Sequence, residues 1–445
     1  MTKGPLVREI VFEALTEILE ENRHCHVILA KALDKYQYLE KPDRSLIKRM
    51  VHGTVEYRLT IDHILNLYSK VKTEKMKPAI RTILRMSAYQ ILYLDRVPDF
   101  AVCNEAVKLA GRRGFRGLSG FVNGVLRAVS RDKEKLSFEE PCYKYSMPAW
   151  IFAMWEEELG GCEAVRLCES FLEGRPLMVR CNRSRASAQA VLTSLAGQGV
   201  TARDMGAGVF SLSGVDYPEA LEAFQKGWIQ IQDLSSALAG EAAGFKEGDT
   251  VLDVCGAPGG KSVCAADHLK GSGLVVCRDL TEGKVSLIED TIRRSGFANI
   301  QAGEWDALCF DPEWEGRADV VIADLPCSGL GIIGRKPDIK YHASPERIRE
   351  LAALQREILD VAWRYVKPGG TLVYSTCTIS RRENQENRSW FLENHPFEPA
   401  DIRERLGEDF TQESLREGYV QLLPGTHPCD GFFIAVMRRR AALAV

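Results

Sequence analysis

The sequence has no C-x-x-C pair among its 13 cysteines, which excludes a zinc ribbon and a thioredoxin-type redox motif. Its eight histidines show no metal-ligand spacing, so neither a metal nor a metal-dependent mechanism is expected. No apolar run approaches the roughly 20 residues of a membrane span, and no membrane partner is expected. The opening M-T-K-G-P-L-V-R-E-I lacks a signal-peptide core and reads as the start of a helix. An odd cysteine count without a secretion signal indicates free thiols in a reducing cytoplasm, the expected location. What is present is a soluble, globular composition, 45% hydrophobic and 27% charged. A chain of 445 residues is long enough for two or three domains with full cores.

The net charge of -3 conceals an asymmetry. Residues 1–135 hold 25 Lys+Arg against 16 Asp+Glu, a balance of +9; the remaining 33 against 45 give -12. A basic module joined to an acidic one points to a polyanion at the first part, or to a solvated basic face without a partner. That part reads as an all-helical bundle. Ile10, Ala14, Leu15, Ile18 and Leu19 form one apolar stripe, and Ile80, Ile83, Leu84, Ala88, Ile91 and Leu92 another. Its loop with Arg112, Arg113, Phe115 and Arg116 can grip phosphates and stack a base, or simply be solvated. Residues 136–239 read as a linker pinned by aromatics, then a small α+β subdomain. There Arg180, Asn182, Arg183 and Arg185 either meet an RNA backbone or are exposed strand-end charges. From residue 240 to 445, strands and helices alternate and a final hairpin follows. This predicts a mostly parallel, doubly wound sheet.

The second half is organised around V-L-D-V-C-G-A-P-G-G-K-S, residues 251–262. An apolar strand feeds a loop of small residues (Cys255, Gly256, Ala257, Pro258, Gly259, Gly260), and a helix begins at Lys261. Glycines let a ligand approach the backbone, and helix-terminal N–H groups favour carboxylate or phosphate. A Walker A loop is excluded because the spacing from Gly256 to Gly260 is one residue short, and Gly-x-Gly-x-x-Gly is absent. S-adenosylmethionine (SAM) remains a candidate, as does an ordinary strand-to-helix turn.

Ligands of such sheets bind at the carboxyl ends of the strands, beside the switch point. Asp279 ends the second strand, 24 residues after Cys255, near the spacing at which an acid takes a ribose diol. Asp306 follows the third strand and is expected to meet an adenine amino group. The fourth strand ends in A-D-L-P-C-S-G, presenting Asp324 and Cys327; the fifth ends in Y-S-T-C-T, presenting Cys377. A capping box of Ser380 and Glu383 is expected to open the following helix, with Arg381 and Arg382 giving Cys377 a positive setting. Two thiols on adjacent strand ends suggest nucleophilic chemistry, and chemistry alone permits either as nucleophile.

C-G-A-P-G-G-K, D-L-P-C-S-G and Y-S-T-C-T, in that order, resemble the RNA 5-methylcytosine methyltransferases of the RsmB/Sun and NOL/NOP/Sun group. The helical part resembles a NusB-type RNA-binding domain, notably over Ala101–Val107 and Phe121–Val129. The resemblance implies three parts. These are a NusB-like bundle over 1–135, a linker and small RNA-binding α+β subdomain over 136–239, and a Rossmann-like class I SAM-dependent methyltransferase with a seven-stranded sheet over 240–445. It implies that Cys255–Lys261, Asp279, Asp306 and Asp324 bind SAM. It further implies that Cys377 is the nucleophile, that Asp324 supports the base, and that Cys327 assists proton removal or release. The implied substrate is a cytosine of small-subunit (16S) ribosomal RNA before full subunit assembly, and the implied protein is a monomer. Transfer RNA as substrate, or a non-catalytic ribosome-assembly protein, are the alternatives. The closing L-L-P-G-T-H-P-C-D-G-F-F resembles the family's last motif but has Gly425 where a more polar residue is expected.

Overall fold

The computed structural model describes residues 4–215, 217–407 and 410–441, with side chains from residue 7 onward. It contains two compact units: residues 1–173 with 333–342, and residues 174–332 with 343–445. The first three residues, part of the predicted helical opening, lie outside the described residues.

The first unit is helical: α1 (Gly4–Leu19), α2 (Cys25–Lys35), α3 (Lys41–Glu56), α4 (Arg58–Tyr68), α5 (Pro78–Tyr93), α6 (Asp99–Arg112) and α7 (Ser119–Asp132). The predicted stripes are buried, Ile10, Ala14, Leu15 and Ile18 on α1 against Ile80, Ile83, Leu84 and Ala88 on α5. Pro78 occupies the first turn of α5, where a missing N–H costs nothing. Gly53 on α3 is required by packing, because a Cβ there would lie 2.1 Å from the Tyr89 ring. Arg85 makes two 2.7 Å hydrogen bonds to the Asp62 carboxylate, the fork geometry that holds a half-buried ion pair.

The stretch read as a linker is folded. Pro141–Lys144, Ala149–Leu159 and Gly161–Leu172 are helices that belong to the first unit, so this unit extends to residue 173 rather than 135. Tyr145, Met147, Ile151 and Trp155 are buried, and these apolar side chains make the segment part of the helical body. Residues 333–342 also belong to this unit, with Lys340 Nζ donating to Glu56 O at 2.8 Å and Tyr341 Oη to Val55 O at 3.0 Å.

The second unit opens with an antiparallel sheet of β1 (Leu177–Cys181), β2 (Thr201–Asp204), β3 (Val209–Ser213) and β4 (Ile229–Ile231), in the order β2-β3-β1-β4. Arg180 on β1 is only 2% exposed. It donates to Gln232 at 2.9 Å, Asp267 at 2.9 Å and Asn182 at 2.6 Å. Asn182 in turn donates to Gly227 O at 2.7 Å. Both expectations for Arg180 and Asn182, RNA contact and exposed charge, are therefore corrected. A buried guanidinium needs an acid and further acceptors, and Asp267 and Gln232 lie in later segments that sequence spacing does not reveal.

The large sheet contains β5 (Thr250–Asp253), β6 (Leu274–Asp279), β7 (Ile300–Glu304), β8 (Ala318–Asp324), β9 (Val366–Thr376), β10 (Phe397–Pro399), β11 (Tyr419–Leu422) and β12 (Phe432–Arg439). The order is β10-β12-β9-β8-β5-β6-β7, with β11 paired to β12. The five strands β9, β8, β5, β6 and β7 are parallel, while β12 runs antiparallel to β9 and to both β10 and β11. The sheet thus has eight strands, not the seven predicted; the addition is three-residue β10, too short to show a period-two pattern. β5 is central, flanked by β8 and β6, and the Gly-rich loop leaves its carboxyl end.

Candidate active site

Parallel pairing sets Asp324 at the end of β8 opposite Ser375 near the end of β9, and the chain continues from these positions to Cys327 and Cys377. The two sulfurs are 3.2 Å apart. Ser375 Oγ donates to Asp324 Oδ1 at 2.7 Å, and Lys261 Nζ donates to Asp324 Oδ2 at 2.5 Å. One carboxylate therefore joins the Gly-rich loop's helix to both thiol-bearing strand ends.

The thiol loops are held by groups that are not themselves thiols. Glu383 accepts from Ser328 N at 2.8 Å, Ser328 Oγ at 2.6 Å and Gln355 Nε2 at 3.2 Å. Burial raises the Glu383 carboxyl above its ordinary value, against those three bonds. This corrects the capping-box expectation. The Glu383 carboxylate braces the turn after Cys327, while its own N–H reaches Ser380 Oγ only at 3.5 Å, and the helix starts at Gln385. Behind Cys377, Asn384 accepts from Thr376 Oγ1 at 2.6 Å and donates to Thr378 O at 3.1 Å and Gln421 Oε1 at 2.8 Å. Gly331 N donates to Cys377 O at 3.0 Å, and a Cβ on Gly331 would lie 2.0 Å from Gly431 O. Its hydrogen bond with Cys377, and then burial, push the Cys327 thiol well up.

In the Gly-rich loop, Gly256 N donates to Arg278 O at 2.8 Å and Ala257 N to Asp279 Oδ2 at 3.0 Å. The Ala257–Pro258 peptide is cis, and Gly259 has φ 102°, a region that glycine occupies without strain. A Cβ on Gly256 would lie 2.2 Å from Cys277 Sγ, so this glycine is required by packing under the loop. A Cβ on Gly260 would meet nothing nearer than Gln232 Nε2 at 3.8 Å, so the loop has open space there. The helix Gly260–His268 begins at that space, and its first N–H groups have no partner within the helix. Open space, helix-terminal amides and neighbouring acids fit a ligand carrying both a carboxylate and hydroxyl or amine donors. Burial raises the Cys255 thiol, so Cys255 contributes backbone and bulk rather than a thiolate.

Asp279 is buried, and its Oδ1 accepts from Leu280 N and Lys284 Nζ, both at 2.8 Å. Asp306 is exposed and closes its own turn by accepting from Leu308 N at 3.0 Å. The structure thus ties Cys255–Lys261, Asp279, Asp324, Cys327 and Cys377 into one connected edge and leaves Asp306 on a neighbouring turn. Asp253, Ser262, Ser375, Ser328 and Glu383 were not read as site residues. The signal available for Asp253 is an acid inside the apolar run V-L-D-V. Ser262 Oγ donates to its Oδ2 at 2.8 Å, its Oδ1 has no partner among the described residues, and burial pushes its carboxyl up to about 7.

A family model described as "16S rRNA methyltransferase RsmB/F" matches residues 243–438, and one described as "NusB family" matches residues 6–131. The chain is 37% identical to the "Probable ribosomal RNA small subunit methyltransferase B" of Bacillus subtilis (strain 168), over 98% of this chain and 100% of that protein. The chain belongs to the ribosomal RNA small subunit methyltransferase B family. The Synechocystis sp. relative of the same description is 32% identical over 97% of this chain and 99% of its own length. Among solved structures, the crystal structure of PH0851 superposes with a TM-score of 0.83 at 26% identity, covering 98% of this chain and 99% of that one. NSun6 from Pyrococcus horikoshii, solved with SFG, shares the fold with a TM-score of 0.58 at 19% identity, covering 66% of this chain and 99% of its own. Membership in the family agrees with the resemblance read from the three motifs and the helical module. Among the described residues no helix is long and apolar enough to cross a membrane, and no disulfide forms.

Proposed function

We propose that this chain methylates carbon 5 of a cytosine in 16S ribosomal RNA, through a covalent adduct between Cys377 and the base. The observation that carries this reading is the pair of sulfurs 3.2 Å apart, beside a carboxylate fixed by Lys261 and Ser375. SAM, when bound, supplies an electrophilic methyl group. Cys255–Lys261 and Asp279 hold it, with Asp324 and Asp306 at its margin. Cys377 adds to carbon 6 and makes carbon 5 a nucleophile, splitting one hard step into two easier ones. Asp324 hydrogen-bonds the base and supports the displaced negative charge. After methylation the carbon-5 proton leaves, its electron pair re-forms the C5=C6 bond, and the C6–S bond breaks to return Cys377 as thiolate. Cys327 acts at this step, in proton removal or release.

The target cytosine must be unstacked, at a cost of a few kcal/mol, so an unpaired segment of 16S RNA before full subunit assembly is the natural substrate. The three-part division at 135/136 and 239/240 is kept as a functional one: RNA-binding bundle, connecting RNA-binding subdomain and catalytic domain. The enzyme acts in the cytoplasm as a monomer.

The test is methyl transfer from radiolabelled SAM to RNA. Cys377→Ala is expected to abolish incorporation, and Cys327→Ala to accumulate a covalent RNA adduct seen as a gel shift. An adduct trapped by Cys377→Ala instead would reverse the two roles. Bisulfite sequencing with and without the gene is expected to lose one 16S cytosine mark; a mark lost only from transfer RNA would overturn the substrate assignment.

A further inference from the structure

The helical unit contains a cluster that no spacing in the sequence announces. His24 lies in the loop between α1 and α2, whereas Asp338 and His342 sit one helical turn apart at the short helix Ile339–His342. Their donor atoms all lie within 4.8 Å of one another. Asp338 Oδ2 is 3.5 Å from His24 Nδ1 and 3.5 Å from His342 Nε2, and the two imidazole rings are 4.9 Å apart, tilted by 51°.

Two features separate this cluster from an ordinary ion pair. A good N–H···O hydrogen bond is about 2.9–3.0 Å long, so both 3.5 Å separations are long for one. They match the edge of a metal tetrahedron. Bonds of about 2.0–2.1 Å to nitrogen and 2.0–2.2 Å to oxygen put neighbouring ligand atoms roughly 3.3–3.5 Å apart. Asp338 is also held as a ligand would be. Its side chain is only 3% exposed, and its Oδ2, the oxygen that faces both imidazoles, accepts from Cys25 N at 3.1 Å. A buried carboxylate is costly unless a cation pairs with it.

We infer that His24, Asp338 and His342 form a binding site for a divalent transition-metal ion of the zinc class. Two imidazoles and one carboxylate disfavour magnesium and calcium, which take oxygen ligands, and suit zinc or its first-row neighbours. His24 is 63% exposed, so a fourth, solvent-derived ligand can enter from its side. The ion would clip residues 333–342 to the α1–α2 loop. Its role is structural, because no part of the proposed methyl transfer requires a metal.

The test uses full-length protein stripped with a chelator and titrated with Zn²⁺ against a chromophoric competitor, and with Co²⁺ for its visible spectrum. One ion per chain is expected, with a tetrahedral Co²⁺ band and no sulfur charge-transfer band. His24→Ala changes an exposed side chain and leaves folding intact; it is expected to weaken Zn²⁺ at least about tenfold, as is Asp338→Asn. Zn²⁺ is expected to raise the thermal midpoint of the parent protein and not that of His24→Ala. Equal affinity in parent and His24→Ala, no stoichiometric ion, or a sulfur-ligated Co²⁺ spectrum would each overturn the site.

Discussion

The carboxylates and thiols at the sheet edge contrast with the arginines of the α6–α7 loop. At the edge each functional group is held by another part of the chain: Asp324 by Lys261 and Ser375, Ser328 by Glu383. In the loop, two of the three arginines are turned back on their own unit. Arg112 pairs with Glu9, and Arg113 pairs with Glu13 at 3.0 Å and lies over the Phe12 ring. Phe115 packs against the helical core rather than standing free to stack a base. Chemistry that requires fixed geometry leaves a compact motif in the chain, whereas a run of surface charge does not reveal where its charges are spent.

Mutations can break this contrast, the largest effect coming from Cys377→Ala and its complete loss of methyl transfer. Next, Gly331→Ala puts a Cβ 2.0 Å from Gly431 O and 2.8 Å from Cys377 O, so the loops must move apart. Methylation is expected to fall at least tenfold, with about 1–3 kcal/mol of stability lost to overpacking; turnover and chemical denaturation measure the two. A third test concerns Asp253, whose carboxyl is raised by burial from an ordinary 3.8 to about 7. Because its folded value lies above its unfolded one, its contribution is most favourable below about pH 4 and is lost as pH rises through 7. Thermal midpoints between pH 5 and 8 are expected to fall less steeply for Asp253→Asn than for the parent. The smallest effect is expected from Arg112→Ala, a surface pair whose loss changes stability by less than about 1 kcal/mol. RNA affinity should stay within about twofold; a salt slope reduced by about one unit would instead make Arg112 a phosphate contact.

Much of the catalytic half was legible because its signals are local. An apolar strand, a Gly-rich loop and a helix start all fall within residues 251–262, and the observed strands keep close to their predicted places. Gly425 was conspicuous as a departure, and its φ is 86°, a conformation that glycine adopts freely and most other residues rarely. What escaped was long-range. Arg180 needs Asp267, Glu383 needs Ser328, and His24 needs Asp338, separations that no periodicity encodes. Asp306 stands at a strand end as expected, and its carboxylate also accepts from Leu308 N, closing a local turn. In the stretch read as a linker pinned by aromatics, Pro141 and Pro148 each stand at the start of a helix.

The Glu383 brace means that the two cysteine motifs are not separable cassettes. Transplanting D-L-P-C-S-G into another Rossmann-like sheet without the S-R-R-E that follows Y-S-T-C-T would leave Ser328 without its acceptor. Moving S-R-R-E alone would bury a carboxylate stripped of its Ser328 donors. A chimera between distant relatives should therefore exchange both loops together, and a library that randomises one should hold Ser328 and Glu383 as a linked pair.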